Sequence, residues 1–295
     1  MKKVISSFVM PALLVFGLVS CSSSNLKNKT NVQGSGFNEN LSLDHICPSN
    51  LQWQPVMDGK EAVDGFEIIS YEIEDLNVSW TCVKADLNTP GIEIIASPGI
   101  KEWGKSPKLQ HVNKVAKKNN AVVAVNATPW QEHIDDVNKK TGISASGIVK
   151  INGKEYFPPI ERYSALAFTK EPLRARILQN QLASEIENYD YAFGGFFQVL
   201  KNSELINFNK IRRSRCCVGT NSDGSQLYFF VVASKIPTDR NGFTFEECGM
   251  VLKELGCTDV MHFDGGHSSC LVVNGKDFEK PLLNRKIPIA IGLKK

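Results

Sequence analysis

The run Val260-Met261-His262-Phe263-Asp264-Gly265-Gly266-His267-Ser268-Ser269-Cys270-Leu271-Val272-Val273 constrains this chain more than any other segment. An apolar strand delivers a carboxylate into a glycine turn rich in donors, and a second apolar strand leads away. Side chains alternate along a strand, so His262 and Asp264 are expected on one face and Met261 and Phe263 on the other. Paired glycines permit positive φ and let backbone N–H groups approach a ligand closely, which suits an oxyanion or a phosphate. The competing reading is a tight hairpin turn with solvated polar residues.

The first residues read as an export signal. Lys2 and Lys3 precede an apolar stretch from Val4 to Leu18, too short for a permanent membrane helix, and small residues then precede Cys21. Leu18-Val19-Ser20-Cys21 resembles the bacterial lipobox, which implies cleavage before Cys21, acylation of its thiol and attachment of an exported protein to the cell envelope. An ordinary cleaved signal peptide or an uncleaved anchor are the alternatives. Residues 1–20 are therefore expected to be a lipoprotein signal peptide. Residues 21–40, rich in Ser, Asn, Lys and Gly, are expected to be a flexible tether, because they bury too little apolar surface to order themselves. Residues 41–295 are long enough for one domain with a substantial core.

The chain carries 34 Lys and Arg against 31 Asp and Glu, a net charge of +3. Losing Lys2 and Lys3 with the signal leaves +1, since no acidic residue precedes Cys21. That balance gives no electrostatic footprint for nucleic acid. Eight cysteines leave seven after Cys21, scattered without a Cys-x-x-Cys pair. An exported compartment permits disulfides, and Cys47 with Cys82 is the first pair to test. Adjacent Cys216 and Cys217 read as small apolar residues on opposite faces of a strand.

Two segments share one plan. Ser106-Pro107 supplies an N-cap and N1 proline to a helix carrying Leu109, Val112, Val115 and Ala116, and strand Ala121 to Val125 follows, closed by Asn126. Thr244-Phe245-Glu246-Glu247 is a capping box opening a helix that runs to Gly256, and strand Val260 to Phe263 follows, closed by Asp264. Further strands are expected at Thr81 to Leu87, Ile92 to Ala96, Ile148 to Ile151, Leu166 to Thr169, Cys216 to Gly219, Gln226 to Ala233 and Leu271 to Val273. Leu182 to Tyr189 is ambiguous. Continuous apolar strands preceded by helices suggest a covered, partly parallel sheet. The expectation is an α+β fold: a single mixed-sheet domain, helices packed on the sheet, and the site at the carboxyl ends of the strands, where Asn126 and Asp264 would face one cleft.

Residues Arg212 to Lys276 resemble the core of the phosphodiester glycosidases, relatives of the "uncovering enzyme" that removes N-acetylglucosamine from a phosphodiester on mannose. Three blocks carry the likeness: Arg212-x-x-Arg215 before a strand, the helix and strand leading to Asp264-Gly265-Gly266-x-Ser268-Ser269, and Leu271-Val272-Val273-Asn274-Gly275-Lys276. Val83 to Gly91 and Gly194-Gly195-Phe196-Phe197 extend it upstream. The chain departs from the family where Ala127-Thr128-Pro129-Trp130 follows Asn126, where Ser214 stands between the arginines, at His267 and at Cys270.

The resemblance implies a hydrolase acting at an anomeric C–O bond beside a phosphate, with a carbohydrate or sugar-phosphate substrate. Asp264, His267 and Arg215 would be catalytic. Asp264 would be nucleophile, base or electrostatic stabiliser, and His267 or His262 a general acid. Arg212 and Arg215 would clamp phosphate oxygens, with Gly265, Gly266 and Ser268 adding donors. Asn126 would position the sugar, and Gly194 and Gly195 would line its site. Glu132, Asp135 and Asp136 are candidates for a second carboxylate. Cys257, His262, His267 and Cys270 offer possible metal ligands but lack regular pair spacing, and Cys270 with His267 makes a weak nucleophile pair. No metal or cofactor is expected. A lipid-anchored glycan-binding protein using the same cleft without catalysis is the alternative, and a structural lipoprotein the third reading.

Overall fold

A computed structural model describes residues 41–97, 108–134, 140–206, 210–238 and 240–295. The expected signal peptide, tether and Cys21 lie outside the described residues, as do Ser106-Pro107, Asp135 and Asp136. Residues Asn40–Lys295 form one contiguous unit by their contacts. No helix among the described residues is long and apolar enough to cross a membrane.

Three sheets and a short ribbon make up the fold among the described residues. The largest has eight strands, in the order Gln54–Asp58, Glu61–Ile73, Val78–Asp86, Gln226–Ser234, Arg215–Thr220, Asp259–His262, Gln198–Lys201 and Glu204–Leu205. A five-stranded sheet is built around Ala165–Lys170 and Tyr191–Gly194, and another around Leu271–Val273, Val123–Asn126 and Ala290–Lys294. Strands Trp130–Ile134 and Lys140–Ala145 pair as the ribbon.

Strand Gln226–Ser234 shows why the sequence folds this way. Leu227, Phe229 and Val231 point into a core shared by all three sheets, which also holds Phe168, Phe193, Val125, Leu271 and Ile291. Tyr228, Phe230 and Val232 point the other way, into a second core with Trp80, Ile46 and the helix Phe245–Glu254. Both faces are covered, so the strand is apolar from Leu227 to Ala233. The expectation of a partly parallel sheet is corrected here: each strand pair among the described residues is antiparallel, the sheet is not single, and two-sided burial alone accounts for the unbroken apolar runs. Helix Val112–Lys118 places Val112, Val115 and Ala116 against Ala124, Val272 and Ala290 on the outer face of the third sheet. The ambiguous Leu182 to Tyr189 contains a single helical turn, Ala183–Ile186.

The capping box is present in full. Thr244 Oγ accepts from the Glu247 N–H at 3.1 Å, and the Glu247 carboxylate accepts from the Thr244 N–H at 2.9 Å. The Cys47–Cys82 disulfide is not formed. All seven cysteines among the described residues are buried free thiols, and Cys47 and Cys82 both sit in the second core, packing as small apolar side chains.

Candidate functional site

Asp264 leaves the end of strand Asp259–His262 in the largest sheet, and Asn126 ends strand Val123–Asn126 in another. The two tips meet. The Asn126 amide donates to the Asp264 carbonyl at 2.7 Å, and its side-chain oxygen accepts from the Cys270 N–H at 3.0 Å. The Asp264 N–H reaches the Ala127 carbonyl at 3.0 Å. Asn126 is 1 % exposed and both of its polar atoms are engaged, so it fixes the Asp264 loop rather than offering a group to a sugar.

A cavity of about 340 Å³ opens beside this junction, lined by Phe196, Phe197, Arg213, Arg215, Phe245, His262, Asp264, Gly265 and Gly266. That volume falls in the range of small-molecule sites. The expected alternation holds: His262 and Asp264 line the cavity, whereas Met261 and Phe263 enter the central core.

Each glycine of the turn has its own reason. Gly266 has φ +58°, a left-handed conformation that suits glycine. A Cβ on Gly265 would lie 3.0 Å from His262 Cε1 and 3.1 Å from the Ser214 carbonyl. The turn amides are nevertheless committed within the protein. Gly266 N–H donates to the Ser214 carbonyl at 2.8 Å, and Gly265 N–H is directed at the Asp264 carboxylate.

Asp264 also receives the Arg285 guanidinium at 3.1 Å and the Ser268 hydroxyl. Arg285 Nε in turn donates to Ser268 Oγ at 2.6 Å, and its guanidinium lies 4.7 Å above the Trp130 ring. Burial pushes the Asp264 carboxyl above its usual range, while Ser268, Arg285 and the Gly265 amide oppose the rise. Ser268 thus holds the carboxylate instead of facing a phosphate. Arg285 was not among the residues expected from sequence. It lies between Leu283 and Ile287 in a connector with no motif of its own, and tertiary approach alone gives it a role.

Arg215 is 6 % exposed, and its guanidinium hydrogen-bonds to the carbonyls of Phe243, at 3.0 Å, and Ile211. It stacks on Phe245 at 4.3 Å and forms no ion pair among the described residues. A buried cation without a counter-ion is unfavourable until an anion arrives. Arg212 points elsewhere: two of its nitrogens reach the two oxygens of Glu247 at 2.6 Å each. The bidentate pair engages the expected phosphate fork and anchors the helix that presents Phe245 to Arg215.

Other expected residues are placed as follows. Gly194 and Gly195 do not line the cavity. A Cβ on Gly194 would meet Gln181 Nε2 at 2.7 Å, and one on Gly195 would meet Met261 Cε at 2.2 Å, so both serve close packing. His267 lies on the 3-10 turn Gly266–Ser268 outside the cavity lining, and its carbonyl accepts from the Arg285 N–H at 2.9 Å. Glu132 sits in the ribbon, away from the cavity wall. Cys257, His262, His267 and Cys270 form no cluster able to hold a metal. The Cys270 thiol is pushed up to about 12, chiefly by burial, which leaves it a poor nucleophile.

Comparison with known proteins agrees with this architecture. The zebrafish N-acetylglucosamine-1-phosphodiester alpha-N-acetylglucosaminidase catalytic domain, auto-inhibited by its pro-peptide, superposes with a TM-score of 0.59 at 16 % identity, over 83 % of this chain and 88 % of that one. A hypothetical protein from Synechocystis gives 0.54 at 12 % identity, over 78 % of this chain and 62 % of that one. A protein from Burkholderia pseudomallei gives 0.54 at 12 % identity, over 74 % of each. A search of curated proteins returns no match. These likenesses describe the fold, and the phosphodiester glycosidase family model matches residues 119–294, well over half the sequence. With Asp264, Arg215 and the glycine turn all inside that match, the chain belongs to the phosphodiester glycosidase family.

Proposed function

We propose that this protein hydrolyses a sugar 1-phosphodiester, breaking the anomeric C–O bond and releasing a phosphate monoester from an envelope or environmental glycan. The observation that carries the proposal is the pairing, in one cavity, of a held carboxylate with a buried guanidinium that lacks a counter-ion. As the C–O bond lengthens, positive charge grows on the sugar and negative charge on the departing phosphate. Asp264 meets the first, and Arg215, pre-oriented by two carbonyls and Phe245, meets the second. Among the described residues lining the cavity Asp264 is the sole carboxylate. A phosphate monoester is a weak base and departs without a strong general acid, so one carboxylate suffices for bond cleavage.

The assay is turnover of a sugar 1-(4-nitrophenyl phosphate) by the full chain in detergent, read as nitrophenol after a coupled phosphatase. Arg215→Lys is expected to lower kcat/KM for this substrate by on the order of 10²-fold, because lysine lacks the planar fork. Its effect on a neutral nitrophenyl glycoside should be much smaller. Equal losses on both substrates would remove Arg215 from the phosphate. Glycan binding without turnover would instead favour a non-catalytic binding protein.

The same proposal tethers the enzyme to the bacterial cell envelope through lipid on Cys21, on the strength of Leu18-Val19-Ser20-Cys21. Radiolabelled palmitate should enter the wild-type chain and be absent from Cys21→Ala. Equal labelling of both would refute the anchor.

A further inference from the structure

We propose that His262 is a ligand-contacting residue of this cavity, meeting a phosphoryl oxygen as an uncharged imidazole. The inference rests on the reading that the cavity takes a phosphate-bearing sugar, and it assigns a donor to that ligand beyond the guanidinium of Arg215.

His262 is 1 % exposed, and neither Nδ1 nor Nε2 makes a hydrogen bond of ordinary geometry within the protein, the Phe263 main chain beside the ring being too poorly aligned to count as one. Buried polar atoms are nearly always paired, and those left over call for a ligand or water. The ring has little freedom to find a partner by turning. Phe245 packs on it with centroids 4.8 Å apart, and the Gly265 main chain lies so close that a Cβ there would be 3.0 Å from Cε1. Its backbone is pinned as well: His262 N–H donates to the Phe197 carbonyl at 3.0 Å, and its carbonyl accepts from the Phe196 N–H at 2.8 Å. The residue lines the cavity, so a ligand seated there is the nearest group that could pair with the ring.

Phe245 carries the Arg215 guanidinium on the same ring, so a cation and an imidazole are presented to one volume. An anion with several acceptor oxygens fits that pair. The charged or titratable groups around His262 are Arg213 and Arg215 from the neighbouring segment, Cys217 on the paired strand and Asp264 on its own loop. Burial and the Arg215 charge hold the imidazole pKa well below its ordinary value. In the neutral form one nitrogen donates to a phosphoryl oxygen and the other accepts, from a sugar hydroxyl for example.

The test is NMR of the full chain in detergent micelles with ¹⁵N-labelled histidine rings, titrated with inorganic phosphate. Five histidines give few signals, and His262→Gln assigns the one in question. The His262 nitrogens should show a neutral tautomer at pH 7 and shift saturably with phosphate. His262→Phe should weaken phosphate binding roughly tenfold to a hundredfold, and His262→Gln, which keeps a donor, by less. Unmoved His262 nitrogens, wild-type affinity in His262→Phe, or no phosphate binding by the wild type would each overturn the inference. If His262→Phe fails to fold, the wild-type titration decides alone. Turnover is measured separately: phosphate contact without hydrolysis refutes only the enzymatic reading, and hydrolysis with silent His262 nitrogens refutes only this one.

Discussion

Asp264→Asn is expected to reduce kcat/KM on the sugar 1-phosphodiester by at least about 10³-fold while leaving the protein folded. The amide is isosteric and still accepts a hydrogen bond, but it supplies neither the charge nor the nucleophilic or basic oxygen that the anomeric centre needs. Stability should change little, for two opposing reasons. Removing a buried charge relieves its desolvation, and Arg285, whose side chain is 47 % exposed, loses a partner it can replace with water. The melting temperature and circular dichroism spectrum check the second half of the expectation, and turnover the first. The pH profile adds a sign. Activity requires ionised Asp264, and burial raises its pKa, so the acid limb of kcat/KM should lie above the ordinary carboxylate range. Arg285 opposes that rise, so Arg285→Gln should move the limb to still higher pH. A limb that stays in place in Arg285→Gln would show that another group controls it.

Glu247→Ala is expected to be the most destabilising single change among the residues discussed. Its carboxylate, 1 % exposed, receives two guanidinium nitrogens of Arg212, the Thr244 N–H and, at 3.3 Å, the Leu41 N–H. Truncation removes the carboxylate opposite Arg212, only 14 % of whose side chain is exposed, and half of the capping box goes with it. Removing one partner of a buried ion pair costs about 3–5 kcal/mol. For a domain of this size that corresponds to a fall of roughly 10 °C in melting temperature. The double variant Arg212→Met with Glu247→Leu should lose much less, because no charge is stranded. If that double variant still prefers phosphate-bearing over neutral substrates, Arg212 acts on the fold and not on phosphate. Loss of the preference in a stably folded double variant would return Arg212 to the site.

The parts of the molecule legible in sequence are those specified locally. Thr244 and Glu247 announce a helix start because the capping box closes over four residues. The period-two rule placed His262 and Asp264 on the cavity side because the alternation of strand Asp259–His262 carries on through the two residues that follow it. The meeting of Asn126 with Asp264 was expected at the carboxyl edge of one partly parallel sheet, whereas the two residues follow strands of different antiparallel sheets and meet through the Asn126 amide. Sheet direction was not legible in the same way. An apolar run such as Leu227 to Ala233 records that both faces are covered, and antiparallel neighbours cover them as well as parallel ones. Nor does a sequence tell a guanidinium that faces a ligand from one that faces a carboxylate. Arg212 and Arg215 stand three residues apart, yet Glu247 engages one, and the other lies against Phe245 with carbonyls as its partners. Arg285 reaches Asp264 across 21 positions from a segment without pattern, and only the folded chain reveals it.

The most direct test of the central claim, that Asp264 and Arg215 form one cavity for cleaving the anomeric C–O bond beside a phosphate, is hydrolysis of the sugar 1-phosphodiester in H₂¹⁸O, with mass spectrometry of the released phosphate monoester. The site described here predicts release of a monoester free of ¹⁸O, because water enters at the sugar carbon. A monoester carrying one ¹⁸O would mean cleavage at phosphorus, and that result, or no release at all, would contradict the account.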